Sequence, residues 1–409
     1  MDSLTVVQFG PIVRHEGHYY QSGPYAALYD SLVKLFRSVH VVAGYLDSTE
    51  PSSRLSFEKP LASSLAIHTF PSNTSRTPLL TFAWHYVMAG CSVMRRGISR
   101  ADGVLLFGPS MLSLIGIMWC RVLGKPFGFY WANDWETESR FRIRASWWRS
   151  VLNRASPYVI SRFQLRLLSK ALFVIAPSHE FRHRHSGRFR LLVQPVPLMK
   201  FGVEDAATRK ERARQAPAVV LFAGELRKMK GVDHLVRAVI ALNQGTTGPG
   251  ERRVVLWIAG SGDEEQNLAQ IAQAAGLADA VLFHGHVADR EALSRLYRDA
   301  DIFALPSLSE GFPRVLYEAM LFHLPIVTTP VGGIPFVLRD GESALFVKTE
   351  SAPDLAEKID ALVRDPGRAE RLAETAYALF LDRVVRFQER EHDLAHQLAR
   401  LFTDGVAWR

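Results

Sequence analysis

Two series of short, apolar, β-rich runs constrain this chain more than any other feature. Each run ends in a turn residue and is followed by a stretch long enough for a helix. The first series is "TVVQFG", "VHVVAG", "LAIHTF", "VLLFG", "PFGFYW" and "LFVIAPS"; the second is "AVVLFAG", "RVVLWIAG", "AVLFHG", "DIFALPS", "PIVTTP" and "ALFV". Near-continuous apolar runs mark strands buried on both faces, and helix-length spacers supply the crossovers that parallel pairing needs. The pattern predicts an α/β chain with two parallel sheets, each covered on both faces and facing the other across a cleft, with strand ends and following loops around a ligand. With 409 residues, 48% of them hydrophobic, the chain can fill two cores. The charged stretch "EDAATRKERARQAP" interrupts the alternation. It predicts a first domain over 1–203, a linker over 204–216 and a second domain over 217–375, with terminal helices over 376–409 packing on one or both.

Two cysteines, Cys91 and Cys120, cannot build a disulfide framework or a zinc cluster, which points to a reduced, cytoplasmic setting. "MDSLTVVQFG" reads at once as a strand rather than a secretory leader. Two uncharged stretches, 77–94 and 103–120, invite a membrane reading. Gly108, Pro109 and Ser110 break the second into a strand ending at Phe107 and a helix capped by Ser110. The first, which contains His85, reads as a buried helix or one lying on a membrane surface.

The net charge of +8 is unevenly spread. Residues 139–179 contain no acid, and arginines from Arg140 to Arg166 alternate with Phe141, Trp147, Trp148, Tyr158 and Phe163. Such a segment suits an anionic membrane surface, where cations meet lipid phosphates and tryptophans settle at the interface. A solvated basic helix face is the alternative. No nucleic-acid module accompanies the charge, so nucleic acid is not expected as a partner. "HEFRHRHSGR" has three histidines without metal-ligand spacing and reads as a solvated loop.

The stretch "SEGFPRVLYEAM" carries Glu310 and Glu318 eight positions apart. "DIFALPS" is a strand, "LSEG" its loop, and Pro313 suits the first turn of the helix that follows. That helix N-terminus offers free N–H groups and a positive dipole end to a phosphate. Gly311 lets the backbone come close, Glu318 can accept bonds from ribose hydroxyls, and Glu310 can reach a sugar beyond the phosphates. The alternatives are a solvent-facing helix glutamate at 318 and a dipole-favouring charge at 310.

These motifs occur in an ordered set. "LFAGELRKMKGVDHLVRAV", "LWIAGSGDEEQNL" and "LPSLSEGFPRVLYEAMLFHLPIVTTPVGGIPFVLRDGESALFV" resemble the donor domain of glycosyltransferase family 4 over about residues 217–350. "VQPVPLMKF" adds a weaker match in the first half. The resemblance implies a GT-B fold of two Rossmann-like, doubly wound domains. It implies a retaining enzyme that moves a sugar from a UDP- or GDP-sugar to an acceptor. The basic aromatic segment and the apolar stretch around Trp84 favour a glycan or lipid-linked acceptor, as in surface polysaccharide synthesis, at the inner face of the membrane. The resemblance also implies that Glu318, Gly311, Phe312, Pro313, Gly224, Arg227 and Lys230 bind the donor, and that Lys230 neutralises the leaving diphosphate so that no metal cofactor is required.

The chain departs from the family pattern at several positions. Glu225 follows Gly224 where an arginine is common, leaving Arg227 or Lys228 as its substitute. Phe336 occupies the place of a glutamate after Gly332 and Gly333, which read as a tight turn. The family histidine of the first domain is absent from "FYWANDWETES". Asp134, beside Asn133, is the candidate to orient the acceptor hydroxyl, with a helix cap as the alternative. Two rival functions remain: a non-catalytic protein that binds a nucleotide sugar, and a GT-B hydrolase or epimerase of one.

Overall fold

All six runs of the first series become strands in the computed structural model, which describes residues 2–8, 12–21, 23–47, 59–62, 64–71, 91–131, 161–176, 179–193, 201, 217–244, 254–385 and 394–407. The chain divides into two units, Met1–Leu198 joined by Gln388–Arg409, and Met199–Phe387. In chain order the first unit contains β1 (Ser3–Val7), β2 (Ile12–His15), β3 (His18–Gln21), α1 (Gly23–Leu35), β4 (Ser38–Asp47), β5 (Lys59–Pro60) and β6 (Ala66–Pro71). It continues with β7 (Gly103–Gly108), α2 (Met111–Val122), β8 (Phe127–Trp131), β9 (Val174–Ile175), α3 (His179–Arg184) and β10 (Leu192–Val193).

The sheet order is β10-β9-β8-β7-β1-β4-β2-β3-β5, with β6 also beside β4. The expected runs pair in parallel. No apolar run announced β2, β3, β5 or β10. Strands β2 and β3 form an antiparallel hairpin whose turn residues Glu16 and Gly17 both have positive φ, +47° and +80°, the backbone twist that tight hairpins favour.

The stretch 103–120 folds as expected, into β7 and α2. The Ser110 hydroxyl accepts from the Ser113 N–H at 2.9 Å, and the Ser113 hydroxyl accepts from the Ser110 N–H at 3.0 Å, a reciprocal cap that satisfies two donors. No described helix is long and apolar enough to cross a membrane. Of the other uncharged stretch, residues 77–90 lie outside the described residues. Cys120 is a core side chain whose thiol burial pushes up to about 12.

The second unit contains β11 (Ala218–Ala223), α4 (Val232–Gln244), β12 (Val254–Ala259), α5 (Glu265–Ala274), β13 (Val281–Gly285), α6 (Arg290–Asp299) and β14 (Ile302–Leu305). It continues with α7 (Arg314–Leu321), β15 (Ile326–Thr328), β16 (Leu345–Phe346), α8 (Ala352–Arg364) and α9 (Pro366–Phe380). All its strand pairs are parallel, in the order β13-β12-β11-β14-β15-β16. Read by position within the unit this is 3-2-1-4-5-6, the doubly wound order, with the switch point between β11 and β14. Phe201 is buried in this unit's core, ahead of residues 204–216, which lie outside the described residues.

The last helix, α10 (Leu394–Ala407), returns to the first unit and packs on α1. Phe402 meets Phe173 edge-on, with ring centroids 5.0 Å apart. Phe173 in turn fills the space over Gly128 of β8, where an added Cβ would lie 2.2 Å from its ring. A three-part stack thus ties the C-terminal helix to the sheet of the first unit. Phe402→Ala should therefore destabilise the first unit by about 3–5 kcal/mol. Calorimetry that resolves two unfolding transitions should show the loss in one of them alone; an equal shift of both would contradict the assignment of α10.

Candidate functional site

Chain reversal at the switch point brings two loops together: 224–231 after β11 and 306–313 after β14. The Leu308 N–H donates to the Met229 carbonyl at 2.8 Å. Gly231 has φ +62°, and a Cβ there would stand 2.3 Å from the Pro306 carbonyl oxygen. Only glycine permits both the conformation and the approach.

Lys230 ends the short 3-10 turn Lys228–Lys230 that leads into α4. Its Nζ donates to Glu310 Oε1 at 2.5 Å, and the Ser307 hydroxyl donates to the same oxygen at 2.7 Å. The side chains are 19% and 8% exposed, so the pair is well shielded from solvent. The structure thus joins the expected cation and the expected loop glutamate in one ion pair. Removing either partner of such a pair leaves an uncompensated charge, which costs more than a surface ion pair does.

The paired glycines support this loop. Gly332 has φ +57°, and its Cβ would lie 1.7 Å from the Glu310 carbonyl oxygen. The Gly333 N–H donates to the Gly311 carbonyl at 2.5 Å. Beneath them the Thr329 hydroxyl donates to the Ser307 carbonyl at 2.5 Å. Gly332 and Gly333 therefore serve the close approach of two backbones. Gly311 itself is exposed, and a Cβ there would meet nothing within 4 Å. Packing within the unit does not require glycine at that position, which leaves its backbone open to a ligand.

Helix α7 begins after the buried Pro313, and no side chain caps its N-terminus. Phe312 lies tilted against Tyr317, with centroids 4.4 Å apart. Glu318 is 6% exposed, which rules out the solvent-facing alternative. Its Oε2 accepts from the Tyr297 hydroxyl at 2.7 Å. Tyr297, on α6, stacks on Phe303 and Phe322 and meets Phe201 edge-on. Burial first, then the Glu318 carboxylate, pushes the Tyr297 hydroxyl well above its ordinary range, so it remains a donor at neutral pH.

Gly224 has φ +149°, and its N–H donates to the Ala259 carbonyl at 3.0 Å. Cβ atoms on Gly260 and Gly262 would stand 1.8 Å and 2.4 Å from the carbonyl oxygens of Gly224 and Leu226. The glycines of "GSGDEE" thus join the loops after β11 and β12. Arg227 pairs with Glu225 at 2.7 Å, both about half exposed, and Lys228 is exposed. The arginine expected to substitute at Glu225 is held by that glutamate.

Asn133 and Asp134 lie outside the described residues. So does much of the basic segment, with 139–160 and 177–178 undescribed. Among the described residues, no group of three or more His, Cys, Asp or Glu could hold a metal ion. The histidine-rich stretch is not the solvated loop expected. It forms α3 and a following turn, with His185 half-buried and tilted against Phe181, centroids 4.5 Å apart. The signal available was Phe181 within that stretch and Phe189 just after it, both buried. Tyr297 and Thr329 carried none, because each acts through a partner more than twenty residues away, and Ser307 is an ordinary loop serine whose role appears only with its bond to Glu310.

Residues 203–379 match the family model described as "Glycosyl transferases group 1". The chain is 34% identical over 193 residues to the D-inositol 3-phosphate glycosyltransferase of Actinosynnema mirum, covering 46% of each chain. It is 38% identical over 163 residues to the enzyme of that name from Mycobacteroides abscessus, covering 39% of this chain and 35% of the relative. The matched region thus spans less than half the length of these relatives. Among solved structures, sucrose-phosphate synthase from Thermosynechococcus elongatus superposes with a TM-score of 0.71 at 19% identity, covering 100% of both chains. Anabaena HepE in complex with UDP and glucose gives 0.67 at 16%, again over 100% of both. These likenesses show the GT-B fold.

Tyr297→Phe should destabilise the second unit by about 1–3 kcal/mol, since a buried carboxylate oxygen loses its donor. A raised folded-state pKa contributes stability that is complete below the unfolded value of about 10 and is lost as pH rises through the folded value. The wild type should therefore lose stability above about pH 10 through this group, and the variant should lack that component. Urea midpoints measured across this range check it, and identical pH slopes would refute the bond.

Proposed function

From the premise that the second unit belongs to the glycosyl transferases group 1 family, we propose that the chain transfers a sugar from a nucleotide diphosphate sugar to an acceptor hydroxyl, with retention of anomeric configuration. The observation that carries this reading is the Lys230–Glu310–Ser307 cluster at the switch point of the second sheet, where doubly wound folds bind their ligands. HepE structures in complex with UDP and with UDP-glucose support a UDP-sugar as donor.

In this reading Glu318, oriented by Tyr297, takes the ribose. The backbone of Gly311 and Phe312, with the uncapped start of α7, receives the distal phosphate. Gly224 and Arg227 belong to the loop beside it. As the bond to the sugar breaks, negative charge grows on the leaving diphosphate, and Lys230 neutralises it. Glu310 holds Lys230 in place and presents its carboxylate to a sugar hydroxyl. The leaving phosphate takes the acceptor proton, so retention needs no protein nucleophile. Asp134 is proposed to orient the acceptor on the first unit.

The acceptor is proposed to be a glycan or lipid-linked molecule of surface polysaccharide or glycoconjugate synthesis, used at the cytoplasmic face of a membrane. Two features of the first unit support this. One face of α2 exposes Met111, Met118 and Val122, which are 40%, 56% and 73% exposed. The basic, aromatic sequence of 139–179 supplies cations for anionic lipid.

The test is to incubate the full chain with UDP-, GDP- and ADP-sugars and a membrane lipid extract while measuring release of free nucleoside diphosphate. One donor should react in an extract-dependent way. Lys230→Ala should lower that rate by about 10²–10³, after correction for any unfolded fraction. Nucleotide-sugar binding without release in any mixture would favour a non-catalytic binding protein. Release without the extract would favour a hydrolase.

A further inference from the structure

A cavity of about 250 Å³ in the first unit is lined by Arg162, Leu165, Arg166, Arg184, His185 and Arg188. Four exposed arginines and a half-buried histidine thus line one space, and no described lining residue is acidic. The surrounding sequence sharpens the imbalance, because residues 139–203 contain thirteen arginines and lysines against one acid, Glu180. Among the described residues, neither the Arg166 nor the Arg188 side chain is paired with a carboxylate.

The walls are built rather than incidental. Arg162 and Arg166 lie on or next to one face of helical residues 161–167. Gln164, fully buried on the same helix, donates from Nε2 to the Ser110 carbonyl at 2.7 Å and to the Ser113 hydroxyl at 2.8 Å. This locks the helix to the cap of α2. The opposite wall is α3 and its following turn. Phe181 stacks on Trp131 at 4.7 Å and lies 6.2 Å from Phe189. The Arg188 N–H closes the turn by donating to the His185 carbonyl at 3.1 Å. Arg184 and Arg188 are therefore presented from a segment fixed by an aromatic cluster, and Leu165 supplies an apolar floor.

Arg166 and Arg188, both exposed, bring two cations that no described carboxylate neutralises to one space, and an anion entering it would meet both. Guanidinium groups match phosphate oxygens with paired N–H donors, and arginine clusters serve phosphate recognition for that reason. A water occupies about 30 Å³ of liquid volume, so the space admits a group of several heavy atoms. We infer that this cavity is a binding site for a phosphate or diphosphate group, separate from the switch-point cluster of the second unit. The inference does not rest on the donor reading. The group could come from the headgroup of a phosphorylated lipid or from a free phosphorylated molecule, and the two sources share the same chemistry at the arginines.

The test uses the full chain, with inorganic pyrophosphate as probe in equilibrium binding at about 0.15 M salt. Saturable binding is expected. Arg166→Ala combined with Arg188→Ala should weaken it at least about tenfold, and the charge-matched pair Arg364→Ala and Arg371→Ala on the second unit should leave it unchanged. If the alanine pair fails to fold, Arg166→Lys with Arg188→Lys keeps the charge, and it should still weaken binding severalfold through loss of the paired donors. UDP-sugar binding measured on the same variants separates loss of this site from failure of the donor reading.

Flotation with phosphatidylcholine vesicles containing phosphatidic acid or phosphatidylserine identifies the source. Preference for phosphatidic acid, displaced by pyrophosphate, would place a lipid phosphate in the cavity. Pyrophosphate binding without displacement from vesicles would place a free phosphorylated molecule there. Absence of saturable pyrophosphate binding, or binding unchanged in the arginine variants, would overturn the inference.

Discussion

Lys230 and Glu310 stand eighty residues apart in sequence, and their ion pair depends on the neighbouring placement of β11 and β14. In a parallel sheet covered on both faces, the carboxyl ends of the strands are where loops are free to vary. At the switch point the chain leaves neighbouring strands in opposite directions, and the two loops bound a crevice. The hydrogen bond from Leu308 to Met229 and the tight contact of Gly231 with Pro306 hold the loops at one separation. The lysine and the glutamate meet because the backbone beneath them has no alternative spacing.

Support for this cluster comes in layers, each using a different property of the chain. Gly332 and Gly333 let the loop after β15 press against the carbonyls of Glu310 and Gly311. Gly260 and Gly262 do the same for the loop after β12 against Gly224 and Leu226. Four loops therefore form one backbone-to-backbone assembly. Glu318 is rigid for another reason. It lies on a buried helix face and is held by Tyr297, whose ring is fixed by Phe201, Phe303 and Phe322. Preorganised charge and hydrogen-bonding groups act most strongly when they need no rearrangement at the moment of reaction.

The first unit distributes its chemistry differently. The segment 139–203 holds thirteen arginines and lysines, and four of them, Arg162, Arg166, Arg184 and Arg188, line one cavity between two helical segments. The exposed apolar residues of α2 belong to the helix whose cap holds Gln164. Charge and apolar surface are thus linked through one buried side chain.

Much of this was legible from local pattern. All twelve apolar runs became strands, and Ser110 capped its helix, because burial on two faces and capping depend on residues close in the chain. Pro313 before α7 and the placement of Glu310 and Glu318 around it were readable for the same reason. The hairpin of β2 and β3 was not, since Glu16–Gly17 lacks the usual turn signal and its strands carry polar residues. Nor were Tyr297, Ser307 or the pairing of Arg227 with Glu225. Local pattern was enough for the α/β class, the two series of strands and which loops carry glycine and glutamate. Tertiary structure alone decided that Lys230 binds Glu310, that Tyr297 holds Glu318, that the last helix returns to the first unit and that four arginines surround one cavity. Those outcomes depend on strand order and on packing between distant segments, which local periodicity does not specify.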